Sequence, residues 1–292
     1  MEVLPNQKFT PADLDFITEH VVSQVETDKV IGGRVAQSVV RVLSTNPALG
    51  ATLMDFLEEN FPHSVLSRDM ILRGKEEGWV HIDPFKAARV KTSSYDISLG
   101  EYFWVTPKLH PGSHVFNPYN PEHVKEAWEG PWRALTIREH LTLGVGPFSR
   151  HLKEEHFQGL DLDDPVIILE PQQTILAHTD EFIGAEEKAT TMMKARSSIG
   201  RIFLSVCKDA GWGDVGYFNR WTMEIQNNLS DMWTFIPVHQ PIAQMVFFRV
   251  NSLKGGSQYF EEGNYQTSQT IIQLKKEWKP ENMLPRLRKV EE

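Results

Sequence analysis

The chain has 292 residues, 40% of them hydrophobic, enough for a full core in one large domain or in a domain with an appendage. Its formal net charge of -9 argues against broad nucleic-acid binding, because neutralising a phosphate backbone needs a clustered excess of Lys and Arg. The single cysteine, Cys207, excludes an intrachain disulfide and a cysteine-rich zinc site, and suits a reducing cytosol.

Any phosphate must therefore be gripped locally. Cys207 reads as a small core or near-site residue rather than a catalytic thiol. Nothing resembles a signal peptide, and no apolar run approaches the ~18 residues that span a bilayer. The expectation is a cytoplasmic protein without membrane contact.

Residues 1–65 read as a helical extension. Thr10-Pro11-Ala12-Asp13 offers an N-cap hydroxyl, a proline at the first helical position and an acid in the first turn. Leu14, Ile17, Val21 and Val25 follow at helical spacing, and two further apolar sets run through Val35, Val39 and Val42 and through Leu53, Phe56 and Leu57. This extension is expected to pack on the core or on another subunit.

From about Val80 the pattern becomes short apolar or alternating runs punctuated by Gly, Pro and Asp. Tyr102-Phe103-Trp104-Val105, Val166-Ile167-Ile168-Leu169, Thr174-Ile175-Leu176-Ala177, Trp221-Thr222-Met223-Glu224-Ile225 and the run 245–250 have the length and the β-branched or aromatic content of strands. Many short strands imply a barrel or sandwich occupying about 66–275. Residues 107–165, rich in Pro, His and Trp, read as an insertion with helical fragments at Pro121 to Trp128 and Ile137 to Leu143. The charged end, 276–292, is expected to fray.

Chemistry concentrates in Lys194-Ala195-Arg196-Ser197-Ser198-Ile199-Gly200-Arg201. Two arginines five apart, with two hydroxyls beside the first, supply donors suited to polyphosphate oxygens. Asp214-Val215-Gly216-Tyr217 is an acidic turn, and Glu224 follows inside an otherwise apolar strand. A carboxylate there is costly unless it is paired or used; an ordinary outward-facing strand position is the other reading.

The chain resembles the deoxycytidine triphosphate deaminases, members of the trimeric dUTPase-like superfamily. The likeness begins at Ser67-Arg68-Asp69-Met70-Ile71-Leu72 and continues through Ile82-Asp83-Pro84-Phe85 and Ser94-Tyr95-Asp96-Ile97-Ser98-Leu99-Gly100. It resumes with Arg196 to Arg201, Ala210, Asp214-x-Gly216-Tyr217 and Glu224 at the family's spacing, then closes with Gln244-Met245-Val246-Phe247-Phe248 and Gly263-Asn264-Tyr265-Gln266.

The resemblance implies a mainly β, distorted barrel or jelly-roll core, assembled as a homotrimer with sites between subunits. It implies hydrolytic deamination of dCTP, or of a modified cytosine deoxynucleotide, without zinc, and with magnesium carried on the triphosphate. Arg196, Ser197, Ser198 and Arg201 would hold the triphosphate, Ser197 and Arg201 also serving the catalytic centre. Asp214 would meet the deoxyribose and the backbone at Ala210 the base, with Trp212 flanking it. Tyr259, Asn264, Tyr265 and Gln269 would close over the nucleotide, and Glu224 would shuttle protons.

Asn264 stands where the family tail carries lysine, which implies a weaker phosphate grip. Cys207, Lys208, Asp209 and Trp212 alter the wall nearest the base. Diphosphohydrolysis of dUTP, alone or combined with deamination, is one alternative, because Asp214 stands where related dUTPases place a water-activating carboxylate. A non-catalytic nucleotide-binding protein is another. His110, His114, His151 and His156 lie in the insertion without cysteine or carboxylate partners at metal-ligand spacing, and read as surface residues.

Overall fold

The computed structural model describes residues 65–107, 115–143, 152–208, 210–250, 253, 258–266 and 268–287. The chain divides into two units, Met1–Pro62 and His63–Glu292, and the described residues all belong to the second. The expected helical extension lies outside the described residues, as do His110, His114 and His151.

Helix α1 (Arg68–Glu77) starts at the Ser67 hydroxyl, which accepts from the Met70 amide, and carries Asp69 in its first turn. It leads into β1 (Val80–Asp83), which pairs with β6 (Thr174–Ala185). The main sheet has nine antiparallel strands and is curled. Its path runs β8 (Leu204–Val206), β10 (Tyr217–Asn227), β6, β2 (Tyr95–Val105), β12 (Pro241–Arg249), β7 (Ala189–Ala195), β9 (Trp212–Gly213), with β1 on β6 and β3 (Glu129–Arg133) on β2. A smaller sheet joins β11 (Thr234–Pro237), β5 (Pro165–Leu169) and β4 (Leu135–Thr136).

The protein is mainly β, as expected. Each run read as a strand falls in one, although the run expected over 245–250 forms the end of β12, which stops at Arg249. The core explains why. Tyr95, Ile97 and Leu99 of β2, Ile175 and Ala177 of β6, Met223 and Ile225 of β10, and Met245 and Phe247 of β12 are all buried in one cluster. At about 25 cal/mol per Å2 of apolar surface removed from water, this cluster is the main stabilising feature of the sheet.

Two stretches differ from the sequence reading. The insertion contains the expected helices, α2 (Pro121–Glu126) and α3 (Ile137–Leu143), but it also supplies β3 to the main sheet and β4 to the small one. Its Ile137 and Phe157 are buried together with Val166 of β5 in a separate cluster. The exposed sequence Glu129-Gly130-Pro131-Trp132-Arg133 has no apolar alternation, so β3 gives no strand signal. Beyond Gly263 the chain does not fray over 271–287. Helix α6 (Ile271–Glu277), capped by the Thr270 hydroxyl, is followed by a 3-10 turn, Pro280–Met283. Met283 is buried against Trp104 and Leu176, and the Trp104 indole donates to the Pro280 carbonyl. These few apolar anchors outweigh the charged composition of the segment.

Candidate active site

β10 sets the geometry. Trp221, Met223 and Ile225 face the main core, so the period-2 pleat turns Thr222 and Glu224 to the other side of the sheet. There they are not simply exposed. The C-terminal segment folds over this face, and with Trp128 it encloses a cavity of about 490 Å3. Glu224 is half-buried in its wall, opposite Leu176 on β6. The position thus matches neither a core carboxylate nor a plain surface one.

The acidic turn meets the same cavity. The Tyr217 amide donates to the Asp214 carbonyl, closing a turn in which Gly216 has φ +92°. Only glycine suits that backbone, and a Cβ would also sit 2.8 Å from the Tyr259 nitrogen. Tyr259, which opens the short helix α5 (Tyr259–Glu262), packs edge-on against Tyr217 with centroids 5.1 Å apart. Burial raises the pKa of both phenols, the largest cause in each case. Both stay neutral hydroxyls at physiological pH.

The cavity brings together Glu224, Ala210, Trp212, Asp214, Tyr259 and Tyr265 of the residues named from sequence. Asn264 lines two neighbouring cavities instead. Arg196, Ser197, Ser198, Arg201 and Gln269 do not line the Glu224 cavity of their own chain. The five-residue helix α4 (Ser197–Arg201) leaves Ser197, Ser198 and Arg201 exposed. Arg196, at its N-cap, reaches back to 3.9 Å from the buried carboxylate of Asp96, which also accepts from the Gln244 side-chain amide at 3.1 Å. The serine-aspartate strand, Gln244 and the arginine loop therefore form one connected network.

The tail is held by Gln266. Its side chain is buried, accepts from the Phe218 amide at 2.9 Å, and donates to the Gly216 and Ser268 carbonyls at 3.1 and 3.2 Å. This ties the segment carrying Tyr259 and Tyr265 to β10. His156 caps a 3-10 turn by accepting from the Lys153 amide, a structural task. Cys207 is buried at the core's edge.

Trp128, Arg220, Trp278, Asn282 and Met283 also line the cavity, and sequence reasoning missed their part. From sequence Trp128 reads only as a core or interface tryptophan. The last three lie in the segment expected to fray. The strand period is the only available signal for Arg220, since it puts that residue on the Glu224 side of β10.

Residues 65–250 match the sequence model of the dCTP deaminase-like family. The chain is 26% identical over 174 residues to a dUMP-forming dCTP deaminase of Methanospirillum hungatei, covering 59% of this chain and 75% of that protein. It is 29% identical over 182 residues to one of Methanoregula boonei, covering 62% and 78%. Among solved structures it is similar to the 2'-deoxycytidine 5'-triphosphate deaminase of Agrobacterium tumefaciens, with a TM-score of 0.42 and 12% identity, covering 68% of this chain and 52% of that one. With this match spanning α1 to β12, more than half of its length, the chain belongs to the dCTP deaminase-like family.

Proposed function

We propose that the protein hydrolytically deaminates dCTP, or a modified cytosine deoxynucleotide, releasing ammonia and the uracil nucleotide. The observation that carries this reading is the half-buried Glu224 in the wall of a nucleotide-sized cavity, beside Ala210, Asp214 and Tyr259, in a chain of this family. Glu224 takes a proton from water as its oxygen bonds to C4. It delivers that proton to the ring nitrogen beside C4, then takes the proton of the new C4 hydroxyl and passes it to the amine, which leaves as ammonia as the C4–N bond breaks and the C4 carbonyl forms. Water supplies the oxygen of the new carbonyl, so atoms balance without an external oxidant or reductant.

Ala210 would meet the base through its backbone, Trp212 would flank it, and Asp214 would hold the sugar. The hydroxyls of Tyr259 and Tyr265 would close the pocket. Arg196, Ser197, Ser198 and Arg201 would hold the triphosphate, with Ser197 and Arg201 reaching the catalytic centre of a neighbouring subunit in a homotrimer. The exposure of Ser197, Ser198 and Arg201, away from the Glu224 cavity of their own chain, fits a role given across a subunit boundary. Among the described residues no group of three or more His, Cys, Asp or Glu gathers as a metal cage. Magnesium would be held by the polyphosphate's own oxygens, and no step is assigned to it.

Asp214 in the same cavity supports a second reading, in which the uracil triphosphate is also cleaved to the monophosphate. A time course with dCTP and magnesium, resolved by chromatography, tests both. Ammonia with dUTP indicates deamination alone, and ammonia with dUMP and pyrophosphate indicates the combined reaction. Pyrophosphate from supplied dUTP without any ammonia from dCTP would leave the diphosphatase alone. Bound nucleotide with no product would make the protein a nucleotide binder.

A further inference from the structure

The Glu224 cavity has a single cation among its described lining residues, Arg220. It lies four residues before Glu224 on the same strand, roughly 13 Å along the backbone at about 3.3 Å per residue. A nucleoside monophosphate can bridge such a span once both side chains reach inward.

The guanidinium is held like a group awaiting a partner. Its central carbon lies over the rings of Phe182 and Trp278, 5.1 and 4.6 Å from their centroids, and its side chain is 22% exposed. Cation–π contact of this kind uses up none of the N–H donors, which remain for oxygen acceptors. The nearest carboxylate oxygen, on Asp180, is 3.9 Å away, beyond hydrogen-bond distance. The other oxygen of Asp180 is engaged by His239 at 3.0 Å. Among the described residues the buried Nε of Arg220 has no hydrogen-bond partner. Burial lowers the pKa of this arginine, and the Asp180 charge opposes that only in part. A desolvated cation so incompletely satisfied is costly in an empty fold and well prepared for an oxyanion.

We infer that Arg220 is a subsite for an anionic oxygen group of the bound nucleotide, supplied by the same chain that carries Glu224. The inference rests on the reading that a nucleotide occupies this cavity. Two sources share the chemistry: the phosphate nearest the sugar, and a carboxylate-type substituent on the pyrimidine ring. The flanking Trp278 gives a fluorescence signal for either.

Tryptophan fluorescence titrations of the full chain with deoxycytidine, dCMP and 5-carboxydeoxycytidine separate these sources. The wild type is expected to bind one of the two anionic ligands at least about tenfold more tightly than deoxycytidine. R220Q is expected to lose that preference and R220K to keep part of it. A preference for dCMP identifies the phosphate, and one for the carboxylated nucleoside identifies the ring substituent. No anion preference in the wild type, or an undiminished one in R220Q, overturns the inference. Should R220Q fail to fold, phenylglyoxal modification of wild-type Arg220, mapped by peptide mass, replaces it. The preferred anionic ligand should protect Arg220 where deoxycytidine does not; equal protection overturns the inference. Ammonia release from dCTP is scored separately. Release together with a preference that survives in R220Q defeats this inference alone, and an Arg220-dependent preference without release defeats the deamination alone.

Discussion

Gly100 lies directly under the imidazole of His178: a Cβ at that position would sit 1.9 Å from Cε1 of the ring. The ring cannot move away, because it is buried, accepts from the Tyr102 amide at 3.2 Å through Nε2, and donates from Nδ1 to the Thr179 carbonyl at 2.7 Å. Gly100→Ala should therefore overpack the β2–β6 crossing and cost about 2–3 kcal/mol. Urea denaturation checks this, and an unchanged midpoint would mean that the two strands yield easily.

The same histidine makes stability depend on pH. Burial, helped by the nearby Arg220 charge, lowers the His178 pKa from 6.5 to about 3. The unfolded chain takes up a proton below 6.5 that the folded one refuses until about 3. Stability is therefore fully present above pH 6.5 and is lost as pH falls through this window, by on the order of 5 kcal/mol. His178→Gln, which keeps an acceptor for Tyr102, should flatten the curve over that interval. Parallel curves for variant and wild type, from chemical denaturation at stepped pH, would assign the loss to other groups.

Legibility in the sequence depends on where each signal resides. Glu224, Asp214 and Ala210 are legible because their spacing is local: β10 and the turn before it deliver the first two to one cavity, which Ala210 reaches from the loop ahead of β9. The strands themselves announce their burial through β-branched and aromatic runs. The roof is not legible. Trp278, Asn282 and Met283 sit in a charged stretch whose order depends on long-range contacts, such as the Trp104 indole on the Pro280 carbonyl, 176 residues apart. Nor can spacing show that Arg196 turns toward Asp96 while Ser197, Ser198 and Arg201 face outward. That is a matter of tertiary geometry, not of pattern.

Gln266 should matter for both stability and substrate affinity. Its amide satisfies the Phe218 N–H and the Gly216 carbonyl, and Gln266→Ala strands both. A cost of about 2–4 kcal/mol is expected from two orphaned buried groups. Because the same clamp holds Tyr259 and Tyr265 against the cavity, KM for the nucleotide should rise while kcat falls less. A variant with wild-type KM would show that the tail is held elsewhere.

Subunit sharing predicts complementation. Arg201→Ala and Glu224→Gln should each be inactive as pure proteins. Mixed by unfolding and refolding at equal amounts, they should recover roughly a quarter of wild-type activity, because some boundaries then pair an intact Arg201 with an intact Glu224. No recovery in verified mixed oligomers would confine the site to one chain.

The central claim is that Glu224 moves the protons in a nucleotide pocket that binds without it. The most direct measurement is ammonia release from dCTP by Glu224→Gln at saturating nucleotide, with nucleotide affinity measured on the same preparation. The amide keeps the shape and loses the base, so release should fall by at least about 100-fold while affinity stays within a few-fold of wild type. Release at the wild-type rate would contradict the account.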